Sequence, residues 1–143
     1  ELTVSAAESC TGGNVAHRIT QQSGSSAYFL GSIVSYANDV KANVLNVKRS
    51  DLDNFGAVSQ EVVESMAKGV AELMHTDCSI ATSGIAGPDG GSPYKPVGTV
   101  WMAVATPTHT VAMMRPSGTD RGQIINRASA YVIEMLYKEL NKA

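Results

Sequence analysis

Between Gly24 and Lys41 the chain collects serines, a tyrosine and a lysine: Gly24-Ser25-Ser26-Ala27-Tyr28-Phe29, then Val34-Ser35-Tyr36, then Lys41. A hydroxyl becomes a nucleophile when a base removes its proton, and a lysine is such a base only while its amine is neutral. Lys41 falls about three residues into a predicted helix beginning near Asn38 or Asp39, where the positive end of the helix dipole disfavours an ammonium. Burial against Tyr36 and the adjoining sheet would act in the same direction. No other stretch offers a comparable catalytic set.

Two glycine-rich turns supply further polar groups. Glu8-Ser9-Cys10-Thr11-Gly12-Gly13 stands where a predicted strand passes into a helix. Free N–H groups and the hydroxyls of Ser9 and Thr11 there suit either an anion or a plain tight turn. Ser83-Gly84-Ile85-Ala86-Gly87-Pro88, with Asp89-Gly90-Gly91 behind it, follows another buried strand. Ligands of open α/β sheets settle beyond strand carboxyl ends, so the two loops are expected to face one pocket. Arg121, after Ser117-Gly118-Thr119-Asp120, is either a bidentate grip for phosphate or carboxylate, or a surface residue paired with Asp120. The three histidines are scattered and the two cysteines lie far apart, so neither a metal site nor a disulfide framework is expected. The turns match neither a Walker loop nor a dinucleotide fingerprint, and no GxSxG elbow is present. A Tyr36–Lys41 interval of five, spanning a strand end, also speaks against a short-chain dehydrogenase.

The elements that must hold these groups follow from periodicity. Strands are predicted over Leu2 to Ala7, Leu30 to Tyr36, Cys78 to Ser83, Val97 to Ala105 and Thr110 to Met114, the last two forming a hairpin around Pro107-Thr108-His109. Helices are predicted through Val15 and Ile19, through Val40, Val44 and Leu45, from Ser59 through Met74, and from Asp120 through Leu140. Ser59 reads as an N-cap ahead of Gln60 and Glu61. Strands alternating with helices and then a hairpin predict a three-layer α/β/α sandwich around a mixed, mostly parallel sheet.

With 143 residues, 43% hydrophobic, 17% charged and a net charge of −2, the chain reads as a single domain over residues 1–143. Its charges form no basic run, so neither nucleic acid nor an anionic membrane is an expected partner. With no membrane span and no leader pattern at Glu1, a cytoplasmic location is expected. The chain opens within the apolar stretch Leu2 to Ala7, and residues upstream are expected to have been trimmed or to belong to another domain.

Six motifs in order resemble the CinA C-terminal domain family, also called PncC: Ala7 to Gly13, Gly24 to Phe29, Val34-Ser35-Tyr36 with Lys41, Gly56-Ala57-Val58-Ser59, Ser83 to Pro88, and Lys95-Pro96-Val97-Gly98-Thr99-Val100-Trp101. The resemblance covers nearly the whole chain. It implies a nicotinamide-nucleotide amidase that converts nicotinamide mononucleotide to nicotinate mononucleotide and ammonia without metal or cofactor. It puts the nucleophile at Ser26, the base at Lys41 and a supporting hydroxyl at Tyr36. Ser9, Thr11, Gly12, Gly13, Ser83, Gly84, Gly87 and Arg121 are then expected at the substrate. The choice between Ser9 and Ser26 as nucleophile stays open. A homo-oligomer, with a dimer favoured, is also implied. Ser83 stands where the family often has threonine, and the Ser117 to Arg121 turn is longer than its usual glycine-Asp-Arg. The alternative is a non-catalytic nucleotide-binding module within a larger protein.

Overall fold

The computed structural model describes residues 1–142. The described elements follow the order β1 (Val4–Glu8), α1 (Asn14–Thr20), a 3₁₀ turn (Ser25–Ala27), β2 (Phe29–Val34), α2 (Asn38–Leu45), α3 (Arg49–Phe55), α4 (Gln60–Met74), β3 (Cys78–Gly84), β4 (Thr99–Ala105), β5 (Thr110–Pro116) and α5 (Arg121–Leu140). They form one five-stranded sheet in the order β2-β1-β3-β4-β5. β1 lies parallel to both β2 and β3, whereas β3–β4 and β4–β5 are antiparallel. Only β4 therefore runs against the rest, and the expected mixed α/β sheet ending in a hairpin is what forms.

Side chains alternate across each strand, so one strand feeds two cores. On one face Val4, Ala6, Cys78, Ile80, Val100, Met102 and Val104 meet Val15 of α1 and Ile124, Ala128 and Val132 of α5. On the other, Ala7, Ala81, Ala103 and Ala105 meet Val62, Val63, Met66 and Val70 of α4 and Leu45 and Leu52 of α2 and α3. The fully buried apolar strand residues on this face are alanines, so the bulky residues of α4 fill the layer from the helix side. β1 and β3 are central and buried on both faces, which explains why they read as nearly continuous apolar runs.

Capping fixes where the long helices begin. Ser59 Oγ accepts from the Val62 N–H at 3.3 Å, and Asp120 Oδ2 accepts from the Gln123 N–H at 3.2 Å. α3 was not predicted, because a seven-residue helix with only Leu52 buried shows no helical periodicity. β2 stops at Val34 rather than Tyr36, the last bond of its ladder with β1 running from the Ser35 N–H to the Glu8 carbonyl at 2.7 Å. β4 starts at Thr99 rather than Val97, since Gly98 has φ 97° and gives its N–H to the Ile85 carbonyl.

Gly69 of α4 lies against the end of α2, and a β-carbon there would strike the Leu45 carbonyl. In an open helix Gly→Ala gains up to about 1 kcal/mol, but overpacking against backbone costs about 1–3 kcal/mol. Gly69→Ala is therefore expected to lower the thermal unfolding midpoint by several degrees. An unchanged or raised midpoint would show that the α2–α4 approach is not tight.

Candidate active site

β1, β2 and β3 run parallel, so their carboxyl ends emerge at one pole of the sheet. Ser9 and Cys10 follow β1, Ser35 and Tyr36 follow β2, and the Gly84–Gly91 loop follows β3. These segments, with the start of α2 and Arg121 at the start of α5, enclose a cavity of about 310 Å³. This is the crevice position at which open α/β sheets bind ligands.

Lys41 occupies the first turn of α2 and is 1% exposed. Its Nζ lies 3.0 Å from Ser9 Oγ, 2.7 Å from the Ser35 carbonyl oxygen and 3.2 Å from the Tyr36 carbonyl oxygen. Ser9 is itself buried, at 8% exposure. Burial pulls the lysine pKa below its ordinary value. Burial likewise pushes the Cys10 thiol up to about 12, so the adjacent sulfur is a thiol and not a thiolate nucleophile.

The expected partnership of Ser26 with Lys41 does not form. Ser26 sits exposed on the 3₁₀ turn before β2, whereas Lys41 packs behind the residues that follow β2. A six-residue strand separates those points by roughly 20 Å. Ser26 lines no part of the cavity, and the hydroxyl that meets the amine is Ser9. Ser26 and Lys41 are neighbours in sequence but not in space, because β2 carries the chain from one pole to the other.

Thr11, Gly12 and Gly13 also depart from expectation. The anion held by their turn is the chain's own Glu8, fully buried. Its Oε1 accepts from Thr11 Oγ1 at 2.7 Å, the Gly13 N–H at 3.1 Å and the Val15 N–H at 2.9 Å. Its Oε2 accepts from the Ala16 N–H at 3.1 Å and Ser32 Oγ at 2.9 Å. Thr11 further bonds Thr82 of β3 at 2.9 Å. Gly12 and Gly13, with φ 58° and 103°, make the turn that brings these groups round. None of the three lines the cavity. An acidic residue closing an otherwise apolar strand was the signal for this buried network.

The remaining expected residues do surround the cavity, with their roles redistributed. Tyr36 offers its carbonyl to Lys41, while its hydroxyl accepts from Arg121 Nη2 at 3.3 Å. Arg121 also donates through Nη1 to the Gly87 carbonyl, bridging three segments across the mouth. Ser83 donates to the Ala57 carbonyl at 2.8 Å and so ties the end of β3 to the loop before α4. Gly84 has no room for a side chain, because a β-carbon would stand 2.8 Å from the Thr99 carbonyl oxygen. Asn38 and Asp89 line the cavity too and were not singled out from sequence. A larger hollow of about 840 Å³ lies at the other pole, walled by Leu2, Ile19, Tyr28, Ile133 and Tyr137. It is apolar and lacks the hydroxyl–amine pair.

The family model for the CinA C-terminal domain matches residues 1–140. A CinA-like protein of Flavobacterium psychrophilum is 46% identical over 142 residues, covering 99% of this chain and 34% of that protein. Another from Geotalea uraniireducens is 49% identical over 139 residues, covering 97% and 33%. The chain thus spans about a third of these relatives. Among solved structures, the competence damage-inducible protein A of Klebsiella pneumoniae superposes with TM-score 0.94 at 33% identity, covering 99% of this chain and 88% of that one. The competence/damage inducible protein CihA of Agrobacterium tumefaciens superposes with TM-score 0.93 at 38% identity, covering 96% and 84%. A match over nearly its full length, together with this fold, places the chain in the CinA C-terminal domain family.

Proposed function

We propose that the cavity is the active site of a nicotinamide-nucleotide amidase in which Ser9 is the nucleophile and Lys41 the general base. One observation carries this reading: of the three groups around Lys41 Nζ, two are carbonyl oxygens and one is a hydroxyl. A neutral amine has two protons and one lone pair. Carbonyls only accept, so both protons go to Ser35 and Tyr36, and the lone pair is left for the Ser9 O–H. The arrangement thus aims the base at the nucleophile before substrate arrives.

The reaction follows from that geometry. Ser9 Oγ attacks the carboxamide carbon as its proton passes to Lys41. The tetrahedral oxyanion needs preorganised donors, and backbone N–H groups of Cys10 and of the Gly84–Gly87 segment are the proposed ones. Collapse breaks the C–N bond, with the Lys41 proton leaving on ammonia. Water then attacks the ester, gives a proton to Lys41, and releases the carboxylate as the proton returns to Ser9. Arg121 at the mouth is the proposed contact for the nucleotide phosphate, since a guanidinium pairs strongly with that group.

Ammonia release from nicotinamide mononucleotide tests the assignment. Ser9→Ala and Lys41→Ala are expected to lower the rate by about 10³-fold or more, whereas Ser26→Ala should retain it. In the same assay Arg121→Ala should raise KM for the nucleotide more than it lowers kcat. Absence of ammonia release by the unaltered protein would favour a non-catalytic nucleotide-binding pocket. Full loss in Ser26→Ala would return the nucleophile to that residue.

The pH dependence has a defined sign. Lys41 must be neutral to accept a proton, so kcat/KM should rise with pH through its pKa and then level off. Because burial lowers that pKa, the midpoint should fall below the ordinary lysine value of 10.5. A profile flat through this region, or one with its midpoint at or above that value, would contradict a neutral lysine base.

A further inference from the structure

The cavity has polar groups at two depths. Ser9 and Lys41 are buried at its floor, whereas Asn38, Asp89 and Arg121 are exposed at its rim. Asp89 is the one carboxylate among the described lining residues. It takes no hydrogen bond and forms no ion pair with any described residue, unlike Glu8, whose oxygens are fully engaged by the protein. Arg121, by contrast, has already spent two of its donors on Gly87 and Tyr36.

A carboxylate only accepts hydrogen bonds, so its complement on a ligand is a donor. A phosphate has none at neutral pH and is repelled by Asp89, which leaves the phosphate to Arg121. With the carboxamide on Ser9, the parts of the substrate that reach the rim are those attached beyond the ring. Two neighbouring hydroxyls present two O–H donors to two carboxylate oxygens, and such contacts to a charged acceptor are the stronger kind of hydrogen bond. We infer that Asp89 reads the vicinal hydroxyls of the substrate's ribosyl group and is a specificity-determining residue of this site. The inference rests on the amidase reading for the orientation of the substrate, and it adds the sugar as the recognised part.

Binding to the Ser9→Ala protein separates this from catalysis. Calorimetric titration with nicotinamide mononucleotide should give a Kd raised roughly ten- to a hundredfold when Asp89→Ala is added. For the analogue lacking both the 2′- and 3′-hydroxyls, the same substitution should leave Kd unchanged. An unchanged Kd for the nucleotide, equal weakening for both ligands, or no nucleotide binding at all would overturn the assignment. Equal weakening would point instead to the cationic ring. If the nucleotide binds as described but the unaltered protein releases no ammonia, the amidase reading fails while the role of Asp89 stands.

Discussion

Burying an amine is costly unless its protons are taken up and its charge is suppressed. At Lys41 the carbonyls of Ser35 and Tyr36 take the protons, and exclusion of water weakens the charge. Those carbonyls are available because β2 ends at Val34 and the chain turns there, its Ser35 N–H held by the Glu8 carbonyl and its Ser35 Oγ donating to the same oxygen at 3.2 Å. The position of the amine is therefore set by where one parallel ladder stops. Ser9 is the first residue beyond the neighbouring strand, so the same ladder end sets the hydroxyl.

Beneath this pair, the Glu8 carboxylate fastens β1 to α1, and through Ser32 to β2. Thr11 extends the fastening to Thr82 of β3. All three parallel strands are thus tied together one residue below the cavity floor. A fully satisfied buried network of this kind rigidifies its surroundings, whereas one missing partner leaves an expensive unpaired charge. The mouth is held more lightly, by single bonds from Arg121 to Gly87 and Tyr36, so rigidity falls from floor to rim.

Much of this was legible in the chain. The alternation of strands and helices, the cap at Ser59, the helix start near Asp120 and the convergence of the loops after β1 and β3 are local features, and each formed as read. So is the first-turn position of Lys41 and its lowered pKa. What local features do not carry is the direction in which a strand transports the chain. Ser26 and Lys41 are close in sequence but lie at opposite ends of β2, while Ser9 and Lys41 are far apart in sequence but meet at adjacent strand ends. Likewise the turn after Glu8 has an anion site's shape, but its occupant is an internal side chain. Asp89 escaped notice because a loop aspartate resembles any solvated charge until a cavity is seen beside it.

The proposed chemistry requires that Ser9 be the hydroxyl that the buried amine activates. Acid quenching during turnover of nicotinamide mononucleotide, followed by peptide mass spectrometry, reports which side chain carries the acyl group. The expected result is the nicotinate-nucleotide ester on Ser9, absent from the Ser9→Ala protein. An ester on Ser26, or one that persists after Ser9 is replaced, would contradict it.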